Sequence, residues 1–136
     1  MTLRDGRFAA RLPAQDLERA RRFYSECLGL EPAEERPGGL RYFCGGTEFV
    51  VYQSTGASPG TFTQGGFAVD DLDATMAALR ARGVVFEEYD APGFTTVDGV
   101  AAIDGQYPSS GATGERAAWF HDSEGNLLGI GELIRA

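Results

Sequence analysis

A chain of 136 residues, 43% apolar and 24% charged, has the makeup of one soluble globular domain spanning residues 1–136, long enough to bury about two-thirds of its unfolded surface without staples. Its net charge of −8 argues against nucleic acid, whose phosphates would be repelled, and permits a cationic ligand. Arg4 and Arg7 are followed by no apolar signal core, and no run reaches membrane-spanning length, so a cytoplasmic protein with no membrane partner is expected.

In chain order, Phe8 to Leu12 reads as a first strand ending at Pro13. Asp16 is a helix N-cap, and Leu17, Ala20, Phe23, Tyr24, Cys27 and Leu28 recur at the spacing of one helical face. Gly29 ends that helix. Leu30 to Glu35 reads as a strand that Pro32 confines to an edge. Leu40 to Cys44 and Glu48 to Gln53 form a hairpin across Gly45-Gly46-Thr47, and Ser54 to Gly60 reads as a linker. The order then repeats. Phe62 to Val69 is a strand, Asp71 caps a helix through Leu72, Thr75, Met76 and Leu79, and Gly83 ends it. Val84 to Tyr89 is a strand, Thr95 to Ile103 holds a short one, and Glu115 to Phe120 with Leu127 to Ile134 close the chain. Asp90 to Gly114 is an insertion rich in Gly, Pro, Ser and Thr, whose Phe94 and Tyr107 favour a contact role. Cys27 and Cys44 lack metal-finger spacing and read as reduced structural thiols.

A shift of about 55 positions aligns Ala14-x-Asp16-Leu17 with Val69-x-Asp71-Leu72 and brings Gly29 within one residue of Gly83. The closing stretch, Trp119-Phe120-His121-Asp122-Ser123-Glu124-Gly125-Asn126, reads as strand end and tight turn. Together these landmarks resemble the vicinal-oxygen-chelate superfamily, the glyoxalase/bleomycin-resistance/dioxygenase group. The resemblance covers nearly the whole chain. It implies an α+β fold: two tandem βαβββ modules, about 7–54 and about 62–134, form curved mixed sheets around an open cleft with the helices outside. Ser123 stands where the family often has Pro.

Metal-dependent members of that group place one ligand on the first strand and one on the last strand of each module. The matching positions here are Ala9, Gln64, Gly129 and, less firmly, Val50. Three of these side chains cannot coordinate, and one neutral Gln64 carbonyl cannot hold a catalytic divalent ion, which needs about three protein ligands. Glu48, two residues before Val50 and on the same face, would still stand alone with Gln64. His121, the only histidine, reads as a solvated strand-end residue, with a general base or ligand as the alternative.

Alternation from these positions points Arg11 to the cleft rim, Glu48 and Tyr52 inward from the module-one closing strand, and Phe62, Gln64, Gly66 and Ala68 inward from module two. Leu127, Gly129 and Gly131 share that side, and Trp119 shares a face with Ala117 and His121. The expected binding residues are therefore Trp119, Tyr52, Phe62, Gln64, Glu48 and Arg11. A roomy cleft with aromatic walls suits a small organic, aromatic ligand. The expectation is a cofactor-free, metal-free binding protein, sequestering an antibiotic or toxin in the bleomycin-resistance manner. An enzyme (lyase, isomerase or oxygenase) and a non-catalytic accessory protein are the alternatives. The resemblance also implies a homodimer.

Overall fold

Two aspartates set where the helices begin. In the computed structural model, which describes residues 2–136, Asp16 and Asp71 have extended backbones. Each carboxylate accepts a backbone N–H three residues on, from Arg19 and Ala74, both at 3.0 Å. These are the capping bonds that satisfy otherwise orphaned donors. They start α1 (Leu17–Glu26) and α2 (Leu72–Ala81). Both helices stop before a glycine in the left-handed region, Gly29 at φ +70 and Gly83 at φ +96.

The strands are β1 (Ala10–Ala14), β2 (Glu34–Arg36), β3 (Gly39–Cys44), β4 (Thr47–Gln53), β5 (Thr63–Ala68), β6 (Asp90–Ala91), β7 (Phe94–Thr95), β8 (Ala101–Asp104), β9 (Gly114–His121) and β10 (Leu127–Ile134). They form two four-stranded sheets of one design, ordered β1-β4-β3-β2 and β5-β10-β9-β8, while β6 and β7 pair alone. In each large sheet the first strand runs parallel to the last and the other pairs are antiparallel. Among the described residues the fold is α+β, two modules of mixed sheet with no closed barrel.

Alternation buries one face of each sheet. Leu12, Ala14, Tyr42, Phe49 and Val51 meet Ala20 and Tyr24 of α1 in one part of the core, and Phe120, Leu128 and Ile130 meet Leu72 and Met76 of α2 in the other. Phe49 and Phe67, edge to face at 6.1 Å, join the two parts. Each of the buried Leu, Ile, Val, Phe and Met side chains contributes about 1.5–3 kcal/mol on burial.

The strand edges differ from the sequence reading. β1 begins later and includes Pro13, which an edge strand tolerates because its missing N–H costs no ladder bond. Phe8, read as the start of this strand, precedes it and is 99% exposed. The strand expected at Val84 to Tyr89 reduces to a bridge between Phe86 and Phe120 and a bond from the Glu87 N–H to the Trp119 carbonyl at 2.8 Å. The chain then leaves β9, makes the small hairpin β6–β7, and returns to β9 as β8. One edge strand is thus split by an excursion over residues 88–100. In β5 the register shifts between Thr63, opposite Leu127, and Gly65, opposite Leu128. Gln64 is the extra residue of that bulge.

The β9–β10 turn locks the chain's two ends together. Glu124, whose side chain is 1% exposed, accepts both forks of Arg19 at 2.8 and 2.9 Å, the Asp16 N–H at 3.0 Å and the Ser123 hydroxyl at 2.8 Å. Arg19 first, then these donors, hold its carboxyl at about 2 against an ordinary 4.5. A carboxyl lowered in the folded state contributes stability that is complete above about pH 4.5 and lost as pH falls toward about 2. Glu124→Gln should therefore flatten this part of the acid limb. Denaturant unfolding across that range should show wild type and variant converging at the acid end; parallel curves would contradict the assignment.

Candidate functional site

The open face of the second sheet is built mainly by β9. Its residues Glu115, Ala117, Trp119 and His121 alternate to one side, opposite the core-facing Ala118 and Phe120. Across the ladder Trp119 faces Gly129 and Ala117 faces Gly131, and Gly66 and Ala68 of β5 lie beyond. This leaves a recess of about 550 Å³, whose lining includes Thr63, Gly66, Ala68, Ala117, Trp119 and Gly131.

The glycines shape it. A Cβ at Gly129 would sit 3.3 Å from the indole nitrogen of Trp119, and one at Gly131 would sit 2.9 Å from the Glu115 carboxyl carbon. Trp119 and Glu115 therefore fold across the sheet over bare backbone. The β6–β7 excursion meets the indole with Phe94, at 5.2 Å and 65°, and the preceding Tyr89 meets it at 5.9 Å and 82°. Such edge-to-face pairs favour a fixed ring orientation.

His121, two residues beyond Trp119 on the same face of β9, joins two separate segments of the chain. Its Nδ1 lies 2.7 Å from a Glu87 carboxylate oxygen and its Nε2 lies 2.9 Å from the Gly60 carbonyl. The imidazolium donates to both oxygens at once, whereas a neutral ring donates to one. Gly60 has φ +66, and a Cβ there would approach the Gly125 carbonyl to 2.6 Å. Only glycine lets the 54–62 linker come so close.

A second recess of about 280 Å³ lies on the first sheet, lined by Arg11, residues 34–36, Gly39, Leu40, Arg41 and Val50. Arg41 donates there to Glu34 and, at 2.6 Å, to Glu48. A third, of about 450 Å³, runs along the junction of β1 and β5 past Ala9, Glu48 and Gly65.

The residues singled out in the sequence separate accordingly. Trp119 lines the first recess and Arg11 the second. Glu48 is held by Arg41 and borders the third recess, and Tyr52 is half-buried on the same side of β4. Phe62 precedes β5 and is 59% exposed. Gln64 leaves the period of two at the bulge: its amide donates to Asn126 Oδ1 at 3.0 Å, and its carbonyl accepts from the Leu127 N–H at 3.3 Å and from Ser58. The first recess is lined only by residues 63–135 and the second only by residues 11–50, so neither brings Trp119 to Arg11.

The family metal positions offer no donor set. Gly129 and Val50 present nothing that coordinates, Ala9 is a methyl group, and Gln64 is committed to the turn. Among the described residues, no three His, Cys, Asp or Glu side chains converge. Glu115 was legible by parity, four residues before Trp119. Glu87 and Gly60 carried no signal, because their meeting with His121 spans 34 and 61 residues of chain. Of the aromatics in the insertion, Phe94 meets Trp119 and Tyr107 is 79% exposed.

The chain belongs to the Glyoxalase/Bleomycin resistance protein/Dioxygenase superfamily, whose sequence profile matches residues 7–130. Solved structures share the fold at low identity. A glyoxalase/bleomycin resistance protein/dioxygenase from Alicyclobacillus acidocaldarius is 19% identical with a TM-score of 0.68, covering 98% of this chain and 95% of its own. A lactoylglutathione lyase from Agrobacterium tumefaciens is 20% identical with a TM-score of 0.62, covering 94% and 93%. The antibiotic-binding protein TnmS3 from Streptomyces sp. is 23% identical with a TM-score of 0.62, covering 95% and 98%. No curated protein matches significantly by sequence.

The clasp at His121 has a pH signature. The Gly60 carbonyl first, then Glu87, raises the imidazole above its ordinary 6.5 despite partial burial. A raised folded pKa contributes stability that is complete below about pH 6.5 and lost as pH rises through the folded value. Ring-proton NMR should place the His121 midpoint above 6.5 and show it fall in Glu87→Gln. A midpoint at or below the ordinary value would contradict the double-donor geometry.

Proposed function

We propose that this chain is a metal-free small-molecule-binding protein that takes a planar, aromatic organic ligand into the recess beside Trp119. The observation that carries this reading is the half-buried tryptophan over a floor of Gly66, Ala68, Gly129 and Gly131. Such a floor leaves space for a flat ring system and supplies no reacting group. The volume lies within the range of organic-ligand pockets, about 300–1,000 Å³. The mechanism is stoichiometric: burying the ligand's aromatic surface withholds it from its target. The antibiotic-binding neighbour makes sequestration reasonable by analogy of fold. Against a catalytic reading stands His121, whose two ring nitrogens are both committed to acceptors, which leaves no free general base there.

Two further parts belong to this reading. The protein works in the cytoplasm; among the described residues no helix is long and apolar enough to cross a membrane. It works as a homodimer, because each open sheet face is lined by one half of the chain and a second copy would cover both. Sedimentation at micromolar concentration should give twice the 14.6 kDa chain mass; monomer alone would remove this part.

The binding test uses the single tryptophan as reporter. Polycyclic aromatic natural products, anthraquinones first, are titrated while indole emission is followed. Binding should quench or shift the emission. Trp119→Ala should weaken calorimetric affinity about thirtyfold, near 2 kcal/mol. A ligand that binds without touching the emission, and binds the folded alanine variant equally, would place the site elsewhere.

A further inference from the structure

The carboxylates of this protein are not treated alike. Glu124 is paired by Arg19, Glu35 by Arg21, Glu34 and Glu48 by Arg41, Asp73 by Arg116 and Glu87 by His121. Glu132 accepts the Leu72 N–H at 2.8 Å and lies 3.9 Å from Arg116. Glu115 is half-buried in the wall of the Trp119 recess, and among the described residues no cation lies within ion-pair distance of it. Its one side-chain hydrogen bond comes from the neutral Gln106 amide, at 3.3 Å. A carboxylate taken partly out of water without a counter-charge is unfavourable. The fold nonetheless provides for it: Gly131 has no Cβ, and the Glu115 carboxyl lies across that gap.

The other charges on the recess do not neutralise it. Asp70 and Glu132 are acidic, and Arg135, whose guanidinium donates to the Ser110 carbonyl at 2.6 Å, keeps its charge but lies beyond ion-pair distance of Glu115. Trp119, four residues along the same face, supplies an indole whose π-system attracts cations as well as flat rings. A carboxylate awaiting a counter-ion and an aromatic face in one recess recognise a definite chemistry, a planar ring system bearing a positive nitrogen.

We propose that the Trp119 recess selects organic cations, with Glu115 as the counter-ion for a protonated or quaternary nitrogen and Trp119 as the stacking wall. This rests on the reading of the recess as a ligand site and adds the charge of the ligand to it. A neutral polycycle would fill the same space and leave Glu115 unpaired.

The test compares two tricycles of equal shape: N-methylacridinium, permanently cationic, and acridine at mildly alkaline pH, where it is uncharged. Calorimetry and indole quenching should show the cation binding about five- to tenfold more tightly, a preference that added salt reduces. Glu115→Gln should cut the preference severalfold, chiefly by weakening the cation, leaving the smaller part that Trp119 and the other acidic residues supply. Gly131→Ala keeps the charge but displaces the carboxylate, and should shrink the preference in a folded protein should the first variant prove unstable. Equal affinities in the wild type, or a preference undiminished in Glu115→Gln, would overturn the cation assignment while the aromatic site stands. Binding of neither tricycle would remove both.

Discussion

Four hydrogen bonds to one buried carboxylate hold this architecture together. Asp122 accepts the Glu124 N–H at 2.8 Å, the Asn126 N–H at 2.9 Å, the Tyr24 hydroxyl at 2.7 Å and the Asn126 amide at 2.8 Å. Among the described residues no cation lies within ion-pair distance of it; donors satisfy it, as they can for a carboxylate inside a protein. Asn126 carries the network on, donating to the Pro13 carbonyl at 3.0 Å and accepting from Gln64. The β9–β10 turn is thereby fastened to α1, β1 and β5. Burial and then the Asp122 charge push the Tyr24 phenol well above its usual range, so it remains a donor at any ordinary pH. Leaving one such buried group unpaired would cost about 1–3 kcal/mol.

With the turn fixed, the side chains of β10 follow by parity. Leu128 and Ile130 enter the core, and Gly129 and Gly131 face out. The absence of a side chain at 129 has two consequences at once. It removes a donor where metal-dependent relatives by resemblance place one, and it opens the surface over which Trp119 folds.

The tandem design was legible because its determinants are local: Asp16 and Asp71 at the caps, Gly29 and Gly83 at the helix ends, and apolar residues at helical or alternating spacing. The outward parity of Trp119, Ala117 and Gly129 was legible for the same reason. Gln64 was not, because a bulge adds one residue and turns the strand's period without a mark in composition. The split edge strand was equally hidden. Strands were expected at Val84 to Tyr89 and within Thr95 to Ile103, but not that both pieces pair with β9, since Asp90 to Gly114 read as one insertion. Nor does a sequence show that Arg11 and Trp119 lie on faces lined by different halves of the chain, since alternation places a residue on a face but does not orient two sheets.

One strand therefore carries most of the site. Along the outer face of β9, Glu115 brings unpaired charge, Ala117 leaves room, Trp119 gives an aromatic wall and His121 gives a clasp. The last two also hold the segments that flank the recess. Trp119 packs on Tyr89 and Phe94 of the excursion, and His121 grips Glu87 at its root and Gly60 of the linker. A change in the excursion or the linker must therefore act on the recess through these two side chains. The floor beneath them is sheet backbone whose amides are already paired, so it stays constant. On the proposed reading, variation in what the recess accepts is confined to its charged end at Glu115 and to the segments held by Trp119 and His121, where loops on a rigid scaffold ordinarily set specificity.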